Sequence, residues 1–223
     1  MTEAYTWYPR LAEIPGIRYV PPSGIDRGRL RGVNAKPRIE RYRSVLDGTT
    51  HVSAMWGDTS QSPAAAHGDA AADAGRPRNE AELNKRLRGA YEALELPGSA
   101  HDYHFKLLGA YQTLWSSRTL AAWALNEVER LCLIDIELIE AHPLDPGEDF
   151  DLREVGQPAF NQLIQLYQRE GYLREAIQIA ERAAHFLRRR PGQGEPDDPQ
   201  QHYLQLAEEI SARIAAIERP DGS

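Results

Sequence analysis

Apolar positions in the second half of the chain recur with the spacing of amphipathic helices. Leu83, Leu87, Ala90, Tyr91 and Leu94 follow one another at i, i+4, i+7, i+8 and i+11, a single helical stripe. Asn79, with Glu82 three residues on, is placed to cap it, and Pro97-Gly98 stops it. Ser99 then opens a second helix with Phe105, Leu108, Tyr111 and Trp115 as its apolar face. A third, over about 119–141, carries Leu120, Trp123, Ala124, Val128, Leu131, Ile134 and Leu138. Its middle, Leu131-Cys-Leu-Ile-Asp-Ile, is apolar on nearly every side and belongs in the centre of a core. Pro143 ends it, and an acidic connector over 145–151 leads on. Helices over 158–170, 173–189 and 200–218 follow, the last with Tyr203, Leu206, Ala207, Ile210, Ile214 and Ile217 on one face. No period-two alternation interrupts this series, so an all-α body of about six antiparallel helices is expected over 79–219.

The first half is patterned differently. Pro9, Pro15, Pro21, Pro22 and Pro37 break residues 1–37 into pieces too short for helices, and the expectation is an extended arm with turns. Trp7, Tyr8, Ile17, Tyr19 and Val20 make this arm too apolar for a solvated tail, so it docks on a surface, of its own domain or of a partner. Ile39, Tyr42, Val45 and Leu46 share one helical face and predict a short helix over 38–46. Residues 57–78 have no large apolar side chain and read as a flexible linker, with the domain boundary there. The organisation expected is thus an arm over 1–56, a linker over 57–78 and a helical domain over 79–219.

Charge sharpens the division. The chain carries −7 overall, yet residues 1–50 hold nine Lys/Arg against five Asp/Glu, and the remainder 17 against 28. A basic arm on an acidic body implies an anionic surface for the arm. The one cysteine, Cys132, excludes a disulfide framework and sits in an apolar run as a buried structural thiol. No segment reaches the roughly 18–20 apolar residues of a membrane span, and the N-terminus lacks a signal pattern. A cytoplasmic protein without membrane contact is the expectation.

Few residue groups suggest chemistry. His101 and His104 stand three apart, a spacing metal ligands use, but nothing completes a site and exposed first-turn positions explain them. Asp145, Glu148, Asp149 and Asp151 lack the ladder and glycine of a calcium loop. Glu137 and Glu140 alternate with apolar residues as surface positions do, and Arg188-Arg189-Arg190 complements the end of a helix dipole. No phosphate-binding, nucleophile-elbow or zinc-protease motif occurs. No catalytic residue, cofactor or metal is assigned.

Residues 160–183 resemble one tetratricopeptide repeat, a helical hairpin of about 34 residues. Phe160, Leu163 and Tyr167 match the inner side of its first helix, Gly171 its turn, and Ala176, Ala180 and Ala183 its small packing residues. Ile164 and Leu173 depart from the pattern, and the closing proline comes late, as Pro191. Over 120–217 the chain is also similar to the bacterial transcriptional activator domain. That likeness rests on Trp123, Glu129-Arg130-Leu131, Glu140-Ala141-His142-Pro143-Leu144 and Gly192-Gln-Gly194-Glu195-Pro196, but a repeat is missing and no winged helix precedes it.

The resemblance implies a scaffold whose first-helix residues Asn161, Gln165, Gln168 and Arg169 line a concave face for a peptide. The leading expectation is therefore a protein-interaction or assembly module, its arm anchored on a neighbouring subunit or larger assembly by Trp7, Tyr8, Tyr19 and Trp56. The alternative is a nucleic-acid-associated transcription regulator whose Arg27, Arg29, Arg31, Lys36, Arg38, Arg41 and Arg43 contact phosphates.

Overall fold

A computed structural model describes residues 5–43, 48, 50–68, 75–142, 157–187 and 199–219. The expected Val45 and Leu46, residues 69–74, Pro143, the acidic connector, Arg188-Arg189-Arg190, Pro191 and the 192–196 loop lie outside them.

Among the described residues the fold is all-α apart from one hairpin. Strands β1 (Arg38–Arg43) and β2 (Thr50–Met55) precede the single helical turn α1 (Pro63–Ala66). The long helices are α2 (Glu80–Leu94), α3 (Ala100–Ser116), α4 (Ala124–Ala141), α5 (Gln157–Glu170), α6 (Leu173–Phe186) and α7 (Pro199–Glu218). The chain divides into two compact units, 1–154 and 155–223.

The short helix expected from residue 38 is instead β1, antiparallel to β2 from Arg38 opposite Met55 to Arg43 opposite Thr50. The helical spacing of Ile39 and Tyr42 is real, but β-branched and aromatic side chains also suit a pleated surface. The segment 50–55, two residues past a glycine, supplies the partner that satisfies its backbone. Ala54 and Trp56, at the end of β2, are buried.

Part of the expected linker is also folded. Ser62 caps α1 by accepting from Ala65 N at 3.0 Å, with Pro63 at the first helical position. Ala64 is wholly buried, and its backbone N–H donates to Pro97 O at 3.0 Å. Short side chains carry this contact: a Cβ on Gly98 would stand 2.7 Å from Ala64 Cβ.

The helix starts behave as their sequences predict. Asn79 accepts from Glu82 N at 2.9 Å, although Glu82 turns its own carboxylate to Arg78 rather than back to the cap. Ser99 and Asp102 close a reciprocal capping box. The third helix begins later than expected: residues 118–120 form a 3-10 turn and α4 starts at Ala124. In α3 the inner face is Tyr103, Leu107, Tyr111 and Leu114, so Phe105 faces outward and is 41% exposed.

In the second unit, Phe160, Leu163, Ala176, Ala180 and Ala183 are wholly buried. Gly171 takes φ +85° between α5 and α6, a conformation with little cost only for glycine. Helix α6 packs against both α5 and α7, and Tyr203 and Ile210 are the buried residues of α7, while Ile217 is exposed.

Candidate functional site: a groove between α2 and α3

The N-terminal arm forms part of the first unit's own core. Leu11 and Ile14 are buried among the helices, as is Tyr19. Tyr8 and Gly98 exchange backbone hydrogen bonds of 2.9 and 3.1 Å, and the Tyr8 hydroxyl meets His142 Nε2 at 3.2 Å. Trp7 and Trp56 pack edge to face at 5.7 Å, and Tyr19 stacks on Tyr91. Arg18 donates through its backbone and its guanidinium to Glu137 at 2.9 Å, so Glu137 is a clamp rather than a bare surface carboxylate. The four aromatic residues expected to anchor a neighbour thus pack on this chain's own body. Proline prevents helix in the arm but does not prevent burial.

The seven basic residues of the nucleic-acid reading separate. Arg27 is half-buried and donates to Glu95 O at 3.0 Å and Pro9 O at 3.1 Å, which makes it a strut of the arm. Arg29 pairs with Asp26, Arg38 with Glu40, and Arg43 donates to Gly48 O. Arg31, Lys36 and Arg41 are exposed.

The row expected on α5 separates too. Asn161 accepts from the Tyr203 hydroxyl at 2.8 Å, and Gln168 accepts from Arg213 at 2.8 Å, so both are engaged by α7. Gln165 is exposed and Arg169 stands beside Glu170 at 3.6 Å. Helix α7 thus touches this row at two of its four positions, while Asn161, Gln165 and Arg169 stay exposed.

Among the described residues, a wholly buried polar pair lies between α3 and α4. His104 Nδ1 meets Asp135 Oδ1 at 2.8 Å, with both side chains wholly buried, so His104 is not the exposed first-turn residue expected. Burial raises the Asp135 carboxyl above its ordinary value, while the hydrogen bond from His104 pulls the other way. Burial likewise pushes the nearby Cys132 thiol well up, which keeps it protonated and a poor nucleophile. An imidazole–carboxylate pair could serve as a base, but with no exposed surface it meets no substrate here; it is a polar lock in the core. Among the described residues no cluster of three or more His, Cys, Asp or Glu could hold a metal ion.

A site with room for a ligand among the described residues is a groove of about 880 Å³ between α2 and α3, walled at one end by α1 and residues 67–68. Leu83, Leu87, Ala90, Ala110 and Leu114 form its apolar floor, and Phe105 stands at its lip. Lys85, Arg86, Arg88 and Lys106 stand on its walls with Glu92 and Asp102. His67 ties the end together: its ring meets Glu92 at 3.2 Å, and its carbonyl accepts from Lys106 Nζ at 2.9 Å. Gly89 and Gly109 lie mid-helix on these walls, and beyond their own helical turns no heavy atom of the described residues lies within 4 Å of where a Cβ would stand.

Sequence reasoning missed this groove because it turned Phe105 inward. The available signal was the pair of helix-interior glycines, which cost a helix about 0.5–1 kcal/mol each relative to alanine and need a reason. No helix of the described residues is long and apolar enough to cross a membrane. No family model, curated protein or solved structure matches the chain.

Proposed function

We propose that the protein is a non-catalytic protein-interaction module, a helical scaffold of tetratricopeptide-like hairpins that holds a partner in the groove between α2 and α3. The groove is the observation that carries this reading. It is apolar at the floor, charged at the rim and within the volume range of ligand sites, roughly 300–1,000 Å³. The buried aromatic residues of the arm brace the helices that frame it, so the arm acts through its own unit.

The test is a photo-crosslinking residue at Phe105 in the full chain, activated in the cells that produce it. Protein adducts that disappear when Gly109→Leu fills the groove are the expected result. A parallel titration of a labelled random duplex examines the transcription-regulator reading. Steeply salt-dependent duplex binding that is lost on removing Arg31, Lys36 and Arg41, with no groove-dependent protein adduct, would reverse the order of the two.

A further inference from the structure

We propose that the β1–β2 hairpin is a self-association element. The outer edge of β1 pairs antiparallel with β1 of a second copy, about a two-fold axis at Ile39, to make a four-stranded sheet. The inference goes beyond the groove and does not depend on what fills it.

The backbone supplies the first reason. Among the described residues the sheet has two strands of 6 residues each, and each strand packs chiefly on the other rather than on a helix. A hairpin of this kind is marginally stable in water by itself; further strands, or a helix laid across it, make it persist. Pairing with β2 uses the N–H and C=O groups on one side of β1. Those on the other side have no backbone partner among the described residues. The side chains along this edge are open as well: Arg38, Arg41 and Arg43 are exposed, and Ile39 is 41% exposed. What satisfies a strand edge is another extended backbone. Charged side chains on an edge deter indiscriminate pairing, so the incoming strand has to match them.

The order of charges along β1 supplies the second reason and selects the occupant. Two antiparallel edges related by a two-fold axis set one residue opposite itself and its neighbours opposite each other in turn. With the axis at Ile39, Arg38 stands opposite Glu40 of the second copy, Glu40 stands opposite its Arg38, and the two isoleucines meet at the centre. Axes at Arg38, Arg41 or Arg43 would put two guanidinium groups face to face. An axis at Glu40 would oppose two carboxylates, and one at Tyr42 would set Arg41 against Arg43. Like charges directly opposite destabilise a sheet, whereas opposite charges stabilise it. Of the positions in β1, Ile39 alone gives complementary pairs. Arg38 and Glu40 already form an ion pair along one chain. The second copy adds the same pair turned end for end, so that four charges alternate in sign. Pro37, which has no N–H to donate, falls opposite Arg41 and ends the ladder. The contact is short, which makes the dimer weak and concentration-dependent.

A cysteine at the axis tests the register in the full chain. The native Cys132 is buried, so Ile39→Cys adds a single accessible thiol. Directly opposite Cβ atoms lie roughly 4.5–5.5 Å apart, near disulfide reach, and mild oxidation at high protein concentration should give a covalent dimer. Arg41→Cys should not crosslink, because its two copies would stand four residues apart along the strands, roughly 13 Å. Sedimentation of the unmodified chain should show a reversible dimer. Arg38→Glu and Glu40→Arg each turn two opposite-charge pairs into like-charge pairs and should weaken that dimer about five- to thirtyfold. The double variant Arg38→Glu/Glu40→Arg re-creates the pairs and should return dimerisation to near its original strength.

Rescue by the double reversal is the result that direct strand pairing predicts and that loss of folding in a single variant cannot imitate. A monomer at every concentration, with no crosslink through Ile39→Cys, overturns the inference. A dimer indifferent to both charge reversals overturns it too, as does crosslinking of Arg41→Cys as efficient as that of Ile39→Cys. Amides of residues 38–41 protected from hydrogen exchange on both edges in a monomer would mean that the chain covers this edge itself, which also overturns it.

Discussion

The two compact units both contain small residues in paired helices, yet they direct them to opposite sides. In α6, Ala176, Ala180 and Ala183 are wholly buried in a helix packed on both its neighbours. In α2 and α3, Gly89 and Gly109 face a groove, and a Cβ at either would meet no described atom beyond its own turn. The cores differ as well. Among the described residues every buried polar or charged side chain, from Ser62 to Asp135, belongs to the first unit, and the core of the second is apolar. A unit closed by alanines and hydrocarbon is complete within itself. A unit with a polar lock on one side of α3 and an open groove on the other has a face that none of its described residues fills. Small residues in a sequence therefore do not carry one meaning; their burial decides it.

The largest effect that would test this contrast comes from the lock. His104→Leu leaves Asp135 buried without its partner and is expected to cost the first unit about 3–5 kcal/mol, read from urea unfolding followed at the unit's tryptophans. Replacing His104 and Asp135 together by leucine should cost much less than the two single changes added, because no buried carboxyl is then left unmatched. Additive losses would mean that the pair is not coupled and that the first core is as indifferent to polarity as the second.

The same carboxyl gives the contrast a pH dependence. Burial raises Asp135 in the folded state, so the folded chain holds its proton more tightly than the unfolded chain. Below the ordinary aspartate value the difference vanishes. As pH rises from that value through the raised one, the protein loses stability relative to Asp135→Asn, which does not titrate. Unfolding of the two proteins between pH 3.5 and 7 should show the gap moving in favour of the asparagine variant. A gap moving the other way would mean that the hydrogen bond from His104 outweighs burial.

Overpacking comes next. Ala180→Leu adds three carbons to a fully buried position and is expected to cost about 1–3 kcal/mol. A single Cβ added at either groove glycine meets no described atom beyond its own helical turn. If Ala180→Leu were silent, the second unit would be looser than its buried alanines imply.

Much of this architecture was legible in the sequence. The caps at Asn79 and Ser99, the central burial of α4 and the alanines of α6 follow from helical period and from residues whose chemistry is local. What was not legible depends on long-range partners. Residues 38–43 carry a helical spacing, but the partner segment 50–55 draws them into a strand. The arm's prolines say nothing about whether Leu11 and Ile14 are buried; that is decided by helices that begin only at Glu80, much later in the sequence. His104 and Asp135 lie 31 residues apart and look like a surface histidine and a chance aspartate until α3 and α4 meet. For the groove, a one-residue rotation of α3 was enough to hide it: with Phe105 placed inward, the wall appears as core.

The smallest prediction separates the two kinds of small residue most directly. Gly109→Ala puts a methyl group into space that no described residue beyond its own helical turn occupies. It removes the conformational freedom that glycine gives the unfolded helix, so the first unit should gain about 0.5–1 kcal/mol, a rise of a few degrees in melting temperature. An internal role for this glycine, such as a close contact with another part of the chain, predicts the opposite sign. A single calorimetric scan therefore distinguishes a glycine kept for the fold from one kept for a partner. A gain in stability coupled to weaker binding of a groove partner would locate the reason for Gly109 outside the chain, where Ala180 has its reason within.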